Sequence, residues 1–151
     1  MRRHAGHYLR FAPLLVASVA LLSVVATAAA TPAAGAKGLP RAKLGRPHLP
    51  GIIVTGAPFP EWGTLRPQHA VGAQSVRIKC YLQDEDGGWD LQKTVWARNV
   101  DYGTTTKYVA SVILDAPGYP VGCRLRAIAP ADGQHRTTSS GWARGSVLVG
   151  E

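Results

Sequence analysis

Apolar and polar residues alternate with a period of two through most of the chain beyond residue 50. In QSVRIKCYL (74–82), Val76, Ile78, Cys80 and Leu82 share one face and Ser75, Arg77, Lys79 and Tyr81 the other, the signature of a half-buried strand. WDLQKTVWA (89–97) sets Trp89, Leu91, Val95 and Ala97 against Asp90, Gln92, Thr94 and Trp96, with Lys93 breaking the apolar set. DEDGG (84–88) lies between the two runs and supplies the glycines of a hairpin turn. KYVASVIL (107–114) alternates less cleanly and stops at DAPGYP, while CRLRAIA (123–129) returns to strict alternation, with Cys123, Leu125, Ala127 and Ala129 inward and Arg124 and Arg126 outward. GSVLVG (145–150) predicts a last strand and GIIVTG (51–56) a first. Short β runs separated by turn clusters, with no amphipathic helix, predict an all-β domain over 51–151. The expected architecture is an immunoglobulin-like β-sandwich of about six to seven antiparallel strands.

The residues ahead of that domain read differently. Arg2, Arg3 and Arg10 precede the apolar run FAPLLVASVALLSVVATAAA, which ends in small residues; this is the form of a signal peptide over 1–30, with cleavage expected after Ala28 or Ala30. An uncleaved anchor is the competing reading, since the run is just long enough to span a bilayer, but its alanine-rich end favours cleavage. With the signal removed, no stable membrane span is expected and the chain is read as secreted. Residues 31–50 are rich in Pro, Gly and Ala, show no periodicity and hold four basic groups with no acid, so a flexible basic linker is expected there.

Charge alters the picture only after it is divided by segment. The chain carries 17 Lys and Arg against 9 Asp and Glu. The leader holds three of the basic groups and the linker four, so residues 47–151 keep 10 basic and 9 acidic groups. A nucleic-acid-binding domain concentrates basic charge on its folded part, and this distribution argues against such a partner.

Two cysteines, Cys80 and Cys123, fall 43 residues apart on inward positions of their strands. In an immunoglobulin-like arrangement these strands lie in opposite sheets, and export favours oxidation, so a Cys80–Cys123 disulfide across the core is expected. By loop entropy it would be worth roughly 4 kcal/mol. A zinc site would need two further ligands; His69 and His135 are the only histidines of the presumed sandwich and both lie in loop-like stretches, so neither a metal nor any other cofactor is expected.

The segments RPQHAVGAQSVRIKCYL, GWDLQKTVWARN, YGTTTKYVASVIL and CRLRAIAPADGQHRTTSSGW, in that order, resemble the Ig-like repeat modules of secreted and surface proteins from actinobacteria. The resemblance runs from about Gly63 to Val149 and implies a sandwich used as a spacer or adhesion module, with no catalytic residues to carry over.

The residues themselves offer little catalytic chemistry. Asp84, Glu85, Asp86 and Asp90 form an acidic group without the glutamate that would close an EF-hand loop, since that position is Val95. Ser146 lacks a nucleophile elbow, and Ser139 and Ser140 near His135 have no evident orienting acid. A candidate binding patch is clearer. Trp96, Arg124, Arg126 and Trp142 are expected on the outward side, an aromatic and guanidinium platform suited to sugar rings or anionic polymers; the plainer reading is tryptophan packed on arginine stems across the sheet. Trp89, which opens an inward-facing set, is expected to cap one end of the core. The sequence thus predicts a monomeric, non-catalytic module meeting a cell-wall polymer, polysaccharide or surface protein. A small secreted enzyme with an active site assembled from loops is the alternative.

Overall fold

A computed structural model describes residues 38–150; the expected signal peptide and the linker residues 31–37 lie outside the described residues. The strands are β1 (Lys43–Leu44), β2 (Ile53–Val54), β3 (Phe59–Arg66), β4 (Val76–Gln83), β5 (Trp89–Tyr102), β6 (Thr105–Val112), β7 (Val121–Ala129), β8 (Thr138–Ser139) and β9 (Ala143–Leu148). Among the described residues there is no α-helix, and the all-β class is as expected. The strand order is β1-β3-β6-β5-β4-β7-β9-β2, with β8 on β7. Every ladder is antiparallel except β2 against β9, which is parallel.

The sheet is mixed and curls into a half-barrel because β5 serves two ladders in succession. Its first part, Trp89 to Ala97, pairs with β4. From Arg98 to Tyr102 it pairs with β6. The change of partner turns the β1-β3-β6 layer against the β4-β7-β9 layer, and one apolar cluster fills the space between, including Leu65 and Val112 from one side and Ile78 and Leu125 from the other. The alternation in β4 and β7 is complete: every second residue is buried.

Strand β3 escapes the sequence pattern. Its inward positions are Phe59, Glu61, Gly63 and Leu65, so a carboxyl and a glycine stand where apolar side chains would have marked the period. Gly63 is required by packing, since a Cβ there would run into the ring and hydroxyl of Tyr108. Tyr108 is fully buried and its hydroxyl donates to the Gly45 carbonyl at 2.7 Å. That bond pins the stretch ahead of β2. The expectation of a flexible linker is therefore corrected for its described part: Lys43 and Leu44 pair with Arg66 and Leu65, His48 N–H donates to Trp62 O at 2.7 Å, and the His48 and Trp62 rings stack at 4.9 Å. A Pro- and Gly-rich stretch needs no periodicity of its own when an existing sheet edge supplies its hydrogen-bond partners.

A bulge corrects the placement of Trp89. Cys80 faces Lys93, but the next residue, Tyr81, faces Leu91, so Gln92 is the extra residue on β5. An added residue reverses the facing of everything beyond it. Trp89 and Leu91 therefore leave the core side and stand on the outer face with Gln83 and Tyr81; Lys93, which broke the apolar set, marks the place.

The cysteines also depart from expectation. Cys80 and Cys123 lie on β4 and β7, which are neighbours in one sheet rather than members of opposite layers, and both are free, buried thiols. Cys80 faces Leu125 while Cys123 faces Leu82, which makes the pair diagonal. Diagonal neighbours stand about 7–8 Å apart at Cα, beyond the usual disulfide span of about 4.4–6.8 Å. The expected bridge is not formed.

Glu61 is the most unusual group in the core. It is fully buried and neither carboxyl oxygen has a hydrogen-bond partner. Burial pushes its pKa up to about 8. An unfolded glutamate releases its proton near pH 4.5, so between about pH 4.5 and 8 the unfolded state holds fewer protons than the folded one and stability falls as pH rises. Over that window the loss is on the order of 4–5 kcal/mol at about 1.4 kcal/mol per pH unit. In urea unfolding measured from pH 4.5 to 8, Glu61→Gln is expected to remove most of this slope; an equal slope in both proteins would refute the buried, proton-bearing carboxyl.

The thiols give a second expectation. Burial first, then the charge of Glu61, pushes Cys80 up to about 12 and Cys123 up to about 11. Unfolded, unreduced protein should titrate two thiols. Folded protein at pH 8 should react at least roughly 100-fold more slowly, since the thiolate is the reactive form; a denatured chain with no titratable thiol would refute the assignment.

Candidate functional surface

The outward side of the β5-β4-β7-β9 layer collects the residues of interest because strand pairing stacks them in rows. Arg77 faces Trp96 and Ile128, Lys79 faces Thr94 and Arg126, and Tyr81 faces Leu91 and Arg124. Arg124 in turn faces Arg144. Five cations, Arg77, Lys79, Arg124, Arg126 and Arg144, thus occupy one face. Among the described residues, none of them has a carboxylate within ion-pairing distance, the ion pairs present being those of Asp132 with His69 and His135.

Aromatic rings separate the cations. The Arg124 guanidinium lies 4.4 Å from the Trp89 ring centre, 4.4 Å from that of Trp142 and 5.3 Å from that of Tyr81. Trp142 meets Tyr81 edge-on at 5.5 Å and carries Arg126 at 5.3 Å. Stacking holds a planar guanidinium by its faces and leaves its N–H edges as the free bonding direction. Arg126 Nε spends one such group on the Ser140 carbonyl at 3.0 Å. The Nε groups of Arg77 and Arg124 are buried and have no partner.

Of the four patch residues expected from sequence, the structure brings Arg124, Arg126 and Trp142 into contact. Trp96 shares the face but stands one row from Arg126 and two rows from Arg124, opposite Arg77, and 46% of it is exposed. Sequence reasoning missed Trp89 and Tyr81 as members. The bulge hid the first; the second was visible as an outward residue of β4 but had no known neighbour. The acidic group at 84–90 does not enter the face. Asp84 caps its own hairpin, accepting from Gly88 N–H at 2.5 Å, and Gly87 adopts the positive φ of 82° that the turn needs.

Beyond the Trp96 end of the face lies a cleft of about 230 Å³ lined by Trp96, His69, Asp132, His135 and Arg136, among others. Here the structure brings together the two histidines that the sequence left apart in separate loops and adds Asp132 to them. His69, from the β3–β4 loop, and His135, from the β7–β8 loop, meet around Asp132, with donor atoms all within 4.8 Å of one another. Ser140, weighed with His135 from the sequence, belongs elsewhere: its hydroxyl accepts from Ala127 N–H at 3.0 Å and donates to Gly141 O at 2.7 Å. Both hydrogen bonds of the Ser140 hydroxyl are thus with the backbone and not with His135.

No family model matches the chain, and no curated protein does. Among solved structures it is similar to superoxide reductase (neelaredoxin) from Ignicoccus hospitalis, with 16% identity over 74% of this chain and 82% of that one and a TM-score of 0.35. It is also similar to AvmM, described as catalysing macrocyclization in alchivemycin A biosynthesis, with 13% identity over 76% of this chain and 93% of that one and a TM-score of 0.38. At such scores neither likeness bears on what this chain does.

Proposed function

We propose that this protein is a secreted, non-catalytic binding module of the cell surface, and that the cationic face of its β5-β4-β7-β9 layer takes an anionic cell-wall polysaccharide. The observation that carries the reading is the segregation of five uncompensated cations among Tyr81, Trp89, Trp142 and Trp96 on one face. A polymer of sugars bearing phosphate or carboxylate groups has both chemistries in alternation: apolar ring faces for the tryptophans and anions for the guanidinium edges. Export rests on the leader-like run over 1–30. The description as an immunoglobulin-like module belongs to the same reading: two β layers closing on one core support it, and the sharing of β5 by both layers departs from it.

The net charge of residues 47–151 is close to zero, which is why charge counting alone pointed away from a nucleic-acid partner. Charge is separated in space, not in sequence. The alternative of a loop-built enzyme has one observation in its favour, the cleft holding His69, Asp132 and His135.

The test is co-sedimentation of the purified protein with isolated cell wall, before and after acid removal of its anionic polymers. Binding is expected with the anionic polymers and is expected to fall several-fold between low and high salt. An Arg124→Ala, Arg126→Ala variant should lose roughly tenfold or more in affinity, about 1 kcal/mol or somewhat above per charge-assisted contact. Equal retention of variant and parent, or equal binding to stripped wall, would refute the reading. So would tighter binding to single-stranded nucleic acid than to wall polymer.

A further inference from the structure

We infer that His69, Asp132 and His135 form a binding site for a divalent first-row transition cation such as zinc. The argument begins with where the lone pairs point. His69 Nδ1 lies 2.8 Å from the Pro67 carbonyl, an acceptor, so it carries the proton of that hydrogen bond. In the neutral ring this leaves Nε2 with a lone pair, and Nε2 faces Asp132 Oδ2 at 3.4 Å. His135 presents its Nδ1 to the same carboxylate, 3.3 Å from Oδ1. With the His135 proton on Nε2, electron-rich atoms of all three residues converge on one point; with it on Nδ1, that atom donates to Asp132 at 3.4 Å instead. A shared positive charge reconciles them, and a metal ion does so for all three at once.

The surroundings hold these atoms in place as a ligand set requires. The His69 loop is docked at both ends: Thr106 Oγ1 accepts from His69 N–H at 2.7 Å and bonds its carbonyl at 3.3 Å, while buried Asn99 binds Ala70 O at 3.1 Å and Ser75 Oγ at 2.9 Å. Asp132 accepts backbone N–H groups of Gln134 at 2.7 Å and His135 at 2.6 Å. His135 is only 8% exposed.

Two imidazoles and one carboxylate from loops, beside an open cleft, leave further coordination positions for water or a ligand. Zinc binds nitrogen and oxygen at about 2.0–2.2 Å. The two short edges, 3.3 and 3.4 Å, already suit a common ion at that distance. A widest separation of up to 4.8 Å asks for a closure of roughly 1 Å, which two surface loops provide more readily than two strands. Arg136 is the cleft's cation, placed to attract an anionic ligand toward an ion with open positions.

The experiment is calorimetric titration of Zn²⁺ into the full chain, stripped with chelator, at pH 7.5, with Co²⁺ titrated in parallel. Binding is expected at this site with micromolar or tighter affinity. His69→Gln and His135→Gln should each weaken it by on the order of 100-fold or more, whereas His48→Gln and a His4→Gln, His7→Gln variant should leave it unchanged. Should a cleft variant fail to fold, Co²⁺ in the unaltered protein decides, because a paramagnetic ion at the site broadens the imidazole signals of His69 and His135 ahead of those of His48. Absence of binding, binding that survives both cleft substitutions, or broadening centred on other histidines would overturn the site and leave the wall-binding reading untouched.

Discussion

The architecture depends on one strand satisfying two ladders. A strand running 14 residues from Trp89 to Tyr102 cannot lie flat in a single sheet here, because its first part bonds to β4 and its last five residues to β6. At Ala97 and Arg98 the partner changes, and the layers must turn toward each other for both sets of backbone groups to remain paired. Closure then dictates the rest. The inner faces of β4 and β7 meet those of β3 and β6, and the outer face of the β4 layer is left to solvent with every arginine and lysine that the alternation placed there.

Within the enclosed space the polar groups fall into two kinds. The Tyr108 hydroxyl and the Asn99 amide nitrogen are buried with partners and act as anchors, Asn99 Oδ1 alone being left without one: the first holds the stretch around Gly45, the second holds the loop that carries His69. Each such bond contributes about 1 kcal/mol net, but loss of one partner would leave a buried polar group unsatisfied at a cost of about 1–3 kcal/mol. Glu61 is of the other kind. With no partner for either oxygen it resides in the core as the neutral acid over the pH range where exposed glutamates are ionised, and its burial near both thiols raises their pKa values as well. The interior is therefore most stable on the acid side.

Much of the fold could be read from period-two alternation where side chains are uniform, as in Val76-Ile78-Cys80-Leu82 and Cys123-Leu125-Ala127-Ala129. The pattern failed where function of packing replaced hydrophobicity: Glu61 and Gly63 concealed β3, and Gly63 is glycine because Tyr108 occupies its side-chain space. It failed again at Gln92, since a bulge shifts phase without leaving a composition signal, and Trp89 changed sides. The cysteines were correctly inward, but which strands adjoin is a property of topology that alternation does not encode. Asp132 and His135, three apart beside a glycine, formed a local turn pattern that could have been noticed; His69 joins them only through the docking of two distant loops.

Trp96 links the two surfaces. It faces Arg77 in the cationic rows and also lines the cleft with His69 and His135, so the face ends at the cleft rather than apart from it. Screening at physiological salt reaches about 8 Å, short compared with the face as a whole but long enough for the cleft to sense its nearest row. Asp132 puts a negative charge there, which opposes an approaching anion. A divalent ion bound by Asp132 and two neutral imidazoles would reverse that sign and extend the positive potential of the Arg77 row across Trp96. Cation binding and polyanion binding would then favour each other, and by linkage each would raise the affinity for the other by the same factor.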